Sequence, residues 1–68
     1  MNQEAERIEK VSVKEAALEL KLNQETLRYM MQAGKLPIGH AFKKPNSKRW
    51  IYIIYRGQLD RYKEEIAS

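Results

Sequence analysis

The sequence predicts a small α+β domain: two short helices, a two-stranded hairpin and a closing helix around one core. Three observations carry that expectation. Asn23 to Pro37 reads as a helix with both ends marked. Trp50-Ile51-Tyr52-Ile53-Ile54-Tyr55 is strongly strand-prone. Between these stretches lies a turn-rich basic segment, Lys43 to Arg49.

The elements follow in order. Residues 1–10 are polar apart from Ala5 and Ile8 and are expected to form an arm or a short lead-in strand, leaving 11–68 as the domain. Ser12-Val13-Lys14-Glu15 matches the S-x-x-E capping box and predicts a helix from about Val13 to Leu20. That helix should bury Ala16, Ala17 and Leu20, with help from Val13. Lys21-Leu22-Asn23 is the link, with Leu22 as an apolar plug. Asn23 caps the next helix, and Gly34 supplies the left-handed residue that ends it. Leu27, Met30 and Met31 share the buried face of that helix. Glu25, Arg28, Tyr29 and Gln32 point away, and Gln24 lies at the boundary.

Leu36-Pro37 forbids further helix, and Ile38 to about Phe42 can form a strand. In Trp50–Tyr55, Trp50, Tyr52 and Ile54 share one face, expected to be core, and Ile51, Ile53 and Tyr55 share the other. A domain this small cannot easily bury both faces, so the second stripe is a candidate protein contact. From about Gly57 to Ile66, apolar Leu59, Tyr62 and Ile66 predict the closing helix, with Asp60, Arg61, Lys63, Glu64 and Glu65 outside. Two helices joined by about three residues make a helix-turn-helix, and the hairpin beside them makes a wing. The fold class is therefore α+β, winged helix.

Composition narrows the function. At 68 residues the chain is one domain near the lower size limit, and without cysteine it has neither disulfides nor thiolate metal sites. No apolar run approaches the roughly 18 residues of a membrane span. Met1-Asn2-Gln3-Glu4 lacks the order of a signal peptide, so a soluble cytoplasmic, nucleoid-associated protein is expected. There is no nucleophile–base pair, metal cluster or phosphate-binding glycine loop, and His40 is isolated. An enzyme is not expected, nor a cofactor. The net charge of +4 is unevenly spread: residues 21–56 carry eight basic side chains against Glu25 alone. Such a concentration favours the phosphate backbone of double-stranded DNA as partner.

Several motifs resemble a known family. Val11-Ser12-Val13-Lys14-Glu15-Ala16-Ala17 resembles the opening of excisionase-type winged-helix domains, and Gly34-Lys35-Leu36-Pro37 resembles their helix exit. Trp50-x-Tyr52-x-Ile54 followed by Leu59 is similar to their second wing strand and closing helix. Thr26-Leu27-Arg28-Tyr29 resembles the recognition-helix signature of the related MerR-type regulators. The likeness covers nearly the whole chain after residue 10. It departs at Lys21, where the family usually carries glycine, and no MerR-type dimerisation helix or effector domain follows in this sequence.

The resemblance implies an accessory protein of a phage or transposon that binds and bends attachment-site DNA and biases a tyrosine-type integrase towards excision. Further copies of itself alongside are expected because one such domain contacts little surface. It also implies DNA contacts at Arg28 and Tyr29. A transcriptional repressor would use the same surface, and a protein-interaction module is the reading from another class.

Each candidate contact has a plain alternative. Arg28 could reach guanine or phosphate and Tyr29 a phosphate or sugar, or they could be a solvated Arg beside a half-buried Tyr. Gln24, Glu25 and Gln32 could read bases, though Glu25 also suits the first turn of any helix. Thr26 could bond a phosphate or serve the helix start, and Lys35 could meet a phosphate or complement the helix dipole. Lys43, Lys44, Lys48 and Arg49 could straddle a phosphate or enter the minor groove, or merely solubilise the turn.

Overall fold

In the computed structural model, which describes residues 8–67, Ser12 is extended (φ −71°, ψ 158°) and its side chain accepts the Glu15 N–H at 3.0 Å. This cap opens α1, Val13–Leu20. Asn23 repeats the device: its side chain accepts the Thr26 N–H at 2.7 Å and opens α2, Gln24–Gln32. The expected helices are both present.

Both also end alike. After α2, the Gly34 N–H bonds to the Met31 carbonyl at 3.1 Å and the Lys35 N–H to the Met30 carbonyl at 2.9 Å. After α1, the Lys21 N–H bonds to the Leu18 carbonyl at 3.3 Å and the Leu22 N–H to the Ala17 carbonyl at 2.9 Å. Both are Schellman endings, which need a left-handed residue. Gly34 (φ 71°) fills that position after α2, and Lys21 (φ 57°, ψ 40°) fills it after α1. The link between the helices thus makes the turn without glycine, with a lysine in the strained region.

Pro37 turns the chain back: the Ile38 N–H bonds to the Leu36 carbonyl at 2.9 Å, a tight turn that suits proline's fixed φ. Ile38 itself is buried just ahead of the strand, so β2 runs Gly39–Lys43, one residue later than expected. β3 is Trp50–Tyr55, as expected. β1, Lys10–Val11, adds a third strand, giving an antiparallel sheet of order β1-β3-β2. Lys10 pairs with Tyr55, so the sheet reaches one residue into the stretch set aside as an arm; the rest of that arm falls mostly outside the described residues. The closing helix α3 is Arg56–Ala67 and follows β3 directly.

The core lies where α1, α2 and the start of α3 meet one face of the sheet. Leu27, Ile38, Ile54 and Leu59 are its largest fully buried side chains. Ala16 and Ala17 are small enough to let α2 approach, and Val11, Met31 and Leu36 complete it. Val13, Leu20, Leu22, Met30, Tyr52 and Tyr62 pack around it, half-buried.

Two expectations are corrected. Ile66 is 58% exposed, because α3 runs on past the core cluster, whose last member on that helix is Leu59 with Tyr62 packed against it. Trp50 is half-buried but lies outside the core cluster, because the hairpin extends past the end of α2's apolar face. Among the described residues no helix is long and apolar enough to cross a membrane.

Candidate nucleic-acid interface

α2 presents its polar face because its apolar residues are committed inward, with Leu27 fully buried and Met31 nearly so. Gln24, Glu25, Thr26, Tyr29 and Gln32 are exposed, Tyr29 at 70%, and Arg28 is half-buried. Lys35 is exposed just past the helix end. Of the sequence-derived set on this helix, all but Arg28 are thus open to solvent.

One member is already engaged. The Gln32 side-chain amide donates to the Tyr52 hydroxyl on β3, which ties the last turn of α2 to the hairpin. Gln32 thus acts first as a strut.

The hairpin carries the second group. Residues 44–49 connect β2 to β3. Pro45 and Asn46 (φ 65°) occupy the centre of a turn closed by the Ser47 N–H on the Lys44 carbonyl at 3.1 Å, the arrangement of a type II turn. The Arg49 N–H then donates to Ser47 Oγ at 3.1 Å. The turn holds Lys44, Lys48 and Arg49 out in solvent. Lys43 is also exposed, with its ammonium 5.4 Å from the centre of the Trp50 ring. His40 is exposed on β2 and meets Tyr55 edge-on, with ring centres 6.2 Å apart.

Opposing charge is gathered elsewhere. Glu19 of α1 accepts from the Arg56 guanidinium at 2.7 and 3.0 Å and from Lys63 at 2.9 Å. Asp60 and Glu15 sit 3.2 and 3.6 Å from the same guanidinium. Hydrogen bonds from Arg56 and then Lys63 hold the Glu19 carboxyl down at about 2, and the Glu19 bond in turn pushes the Arg56 pKa up. Arg56 and Lys63 are thereby spent on α1, so one cation of the basic middle stretch and two residues read as solvated belong to a structural tie. Arg28, Lys35, Lys43, Lys44, Lys48 and Arg49 take part in none of these ion pairs.

Sequence reasoning missed the Glu19 cluster, the Gln32–Tyr52 bond and the role of Lys21. Residues 19 and 56 are far apart in the chain, and no local pattern joins them. Lys21 did carry a signal, standing where a glycine was expected. Among the described residues, no group of three or more His, Cys, Asp or Glu is placed to hold a metal ion. Compared with known protein families, curated proteins and solved structures, the chain matches none.

Proposed function

We propose that this chain is a winged-helix DNA-binding protein of the excisionase type. In this reading α2 enters the major groove as the recognition helix, and the β2–β3 loop is the wing on the adjacent backbone or minor groove. Arg28 and Tyr29, with Gln24, Glu25 and Thr26 near the helix start, supply base and backbone contacts. Lys35, Lys43, Lys44, Lys48 and Arg49 supply phosphate contacts. The observation that carries the reading is the division of charge: these cations are free of the ion pairs, while Glu15, Glu19 and Asp60 are drawn to Arg56 at the α1–α3 junction.

One domain of this size covers little DNA, so several copies binding side by side would supply affinity and bend the duplex. A tyrosine-type integrase would then be the partner in excision; without one, the same surface serves a repressor. A second reading rests on the outer face of the sheet, where Ile51, Ile53 and Tyr55 are half-buried beside Phe42, which is 40% exposed. That stripe would suit a protein contact.

The test is a mobility-shift titration on random duplex and on duplex selected from the source genome, at two salt concentrations. Discrete, salt-sensitive complexes on selected DNA, lost in Arg28→Ala, are the expected result. An absence of any shift at low salt would refute the DNA reading and leave the sheet face as the lead. Integrase-dependent excision then separates an excisionase from a repressor.

A further inference from the structure

Trp50 and Lys43 are the last cross-strand pair before the loop. On β3, Trp50 shares its face with Tyr52 and Ile54. Ile54 is buried in the core, and the Tyr52 hydroxyl accepts from Gln32 of α2. Lys43 shares its face of β2 with Ala41, which packs against the core. The pair therefore lies on the α2 side of the hairpin, one step beyond the core's edge and between the helix and the loop.

A tryptophan in that place has no core contacts to justify its size, but it has a cation over its ring. The π face of an indole attracts an ammonium group. Lysine's long stem loses rotamer freedom when it meets a phosphate, and a ring that already holds the ammonium removes part of that loss. Among the described residues, Lys44, Lys48 and Arg49 have no such ring contact.

We propose that Trp50 is a positioning residue for DNA, holding Lys43 so that it engages the sugar-phosphate backbone of the strand between α2 and the loop. The inference rests on the DNA reading above and makes it more specific. Lys43 is the preorganised phosphate contact, and the other loop cations adapt to the backbone as it arrives.

The test uses the full chain and a labelled form of the duplex selected above, titrated at several salt concentrations while the emission of the protein's only tryptophan is also followed. Lys43→Met is expected to weaken binding about fivefold and to lower the salt slope by about one. Trp50→Leu is expected to lose about threefold with a reduced slope, and Trp50→Phe to recover part of it. The double variant Trp50→Leu/Lys43→Met should bind no more weakly than Lys43→Met alone, and duplex should change the wild-type indole emission.

Wild-type affinity and salt slope in Trp50→Leu, or losses that multiply in the double variant, overturn the inference. If circular dichroism shows Trp50→Leu unfolded, Trp50→Phe and the wild-type emission decide: an emission unmoved by saturating duplex overturns it. Binding that is lost in Arg28→Ala yet indifferent to Trp50 and Lys43 sinks this inference alone. No binding to any duplex sinks the DNA reading with it.

Discussion

Lys21→Gly is expected to make the protein more stable. Lys21 closes α1 in the left-handed region at φ 57°, ψ 40°, where its Cβ crowds the backbone. For an ordinary residue that conformation costs about 1–2 kcal/mol, and glycine escapes it. Glycine also makes the unfolded chain more flexible, which takes back about 0.5–1 kcal/mol. The net gain is about 0.5–1 kcal/mol, and in a domain this small that raises Tm by about 3–6 °C.

Lysine's positive charge near a helix C-terminus complicates the comparison, so Lys21→Ala is the control. It removes the charge but keeps the Cβ. The difference between the glycine and alanine variants is free of the charge effect. It leaves the strain less glycine's unfolded-state flexibility and should be about 0.5–1 kcal/mol in urea unfolding at constant m. Gly34 provides the mirror experiment. It closes α2 by the same hydrogen bonds at φ 71°, and a Cβ built there meets nothing within 4 Å. Gly34→Ala should therefore lose about 1 kcal/mol through conformation alone. If Lys21→Gly were no more stable than Lys21→Ala, the strain argument would fail.

Three further outcomes follow from the tertiary contacts. The Glu19 carboxyl is held at about 2, below its ordinary 4.5, so its contribution is complete above about pH 4.5 and lost as pH falls towards 2. After allowance for solvent screening it amounts to about 1 kcal/mol, and acid titration of Glu19→Gln should show a correspondingly shallower loss of stability over that window. Gly39→Ala should cost about 1–3 kcal/mol by thermal unfolding, because its Cβ would collide with the Ile53 carbonyl oxygen and stand 2.9 Å from Ile54 Cα. Tyr52→Phe, which removes the acceptor for the Gln32 amide, should cost about 0.5–1.5 kcal/mol in denaturant unfolding.

How much of this could be read from the chain depended on the range of each interaction. The helix starts were legible because Ser12 and Asn23 act on backbone groups three residues away. The end of α2 was legible because Gly34 is a local necessity. The strand at Trp50–Tyr55 followed from its β-branched and aromatic residues. Burial failed where it depended on what lies opposite: Ile66 fits the apolar period of α3 yet stands exposed beyond the core, and Trp50 alternates correctly on a strand that outruns the core. β1 was only half legible, since two residues acquire strand geometry from β3 rather than from their own sequence. Among the candidate contacts, position on α2 and the loop was readable, but occupancy was not. Nothing in residues 24–32 announces that Gln32 will meet Tyr52.

The ties absent from the sequence pattern bear directly on the proposed interface. A binding surface split between a helix and a hairpin is effective only if the two parts keep their spacing, since each freedom lost on binding subtracts from affinity. Gln32 and Tyr52 connect the two parts, and β2 and β3 are held in one register from Gly39–Ile54 to Lys43–Trp50. The Glu19 cluster contributes in a different way. By engaging Arg56 and Lys63, it keeps α1 against α3 and gathers Glu15, Glu19 and Asp60 around the same cations. An acidic group loose beside Lys43 or Lys48 would compete with phosphate for the same ammonium groups. With three of its nine acidic side chains held there, the chain can present its loop cations without a large net charge. On this argument, Glu19→Gln should lower stability in denaturant unfolding while leaving the DNA affinity of the folded protein at neutral pH nearly unchanged in the mobility-shift titration, because Glu15 and Asp60 keep Arg56 as their partner and no acidic group is set loose.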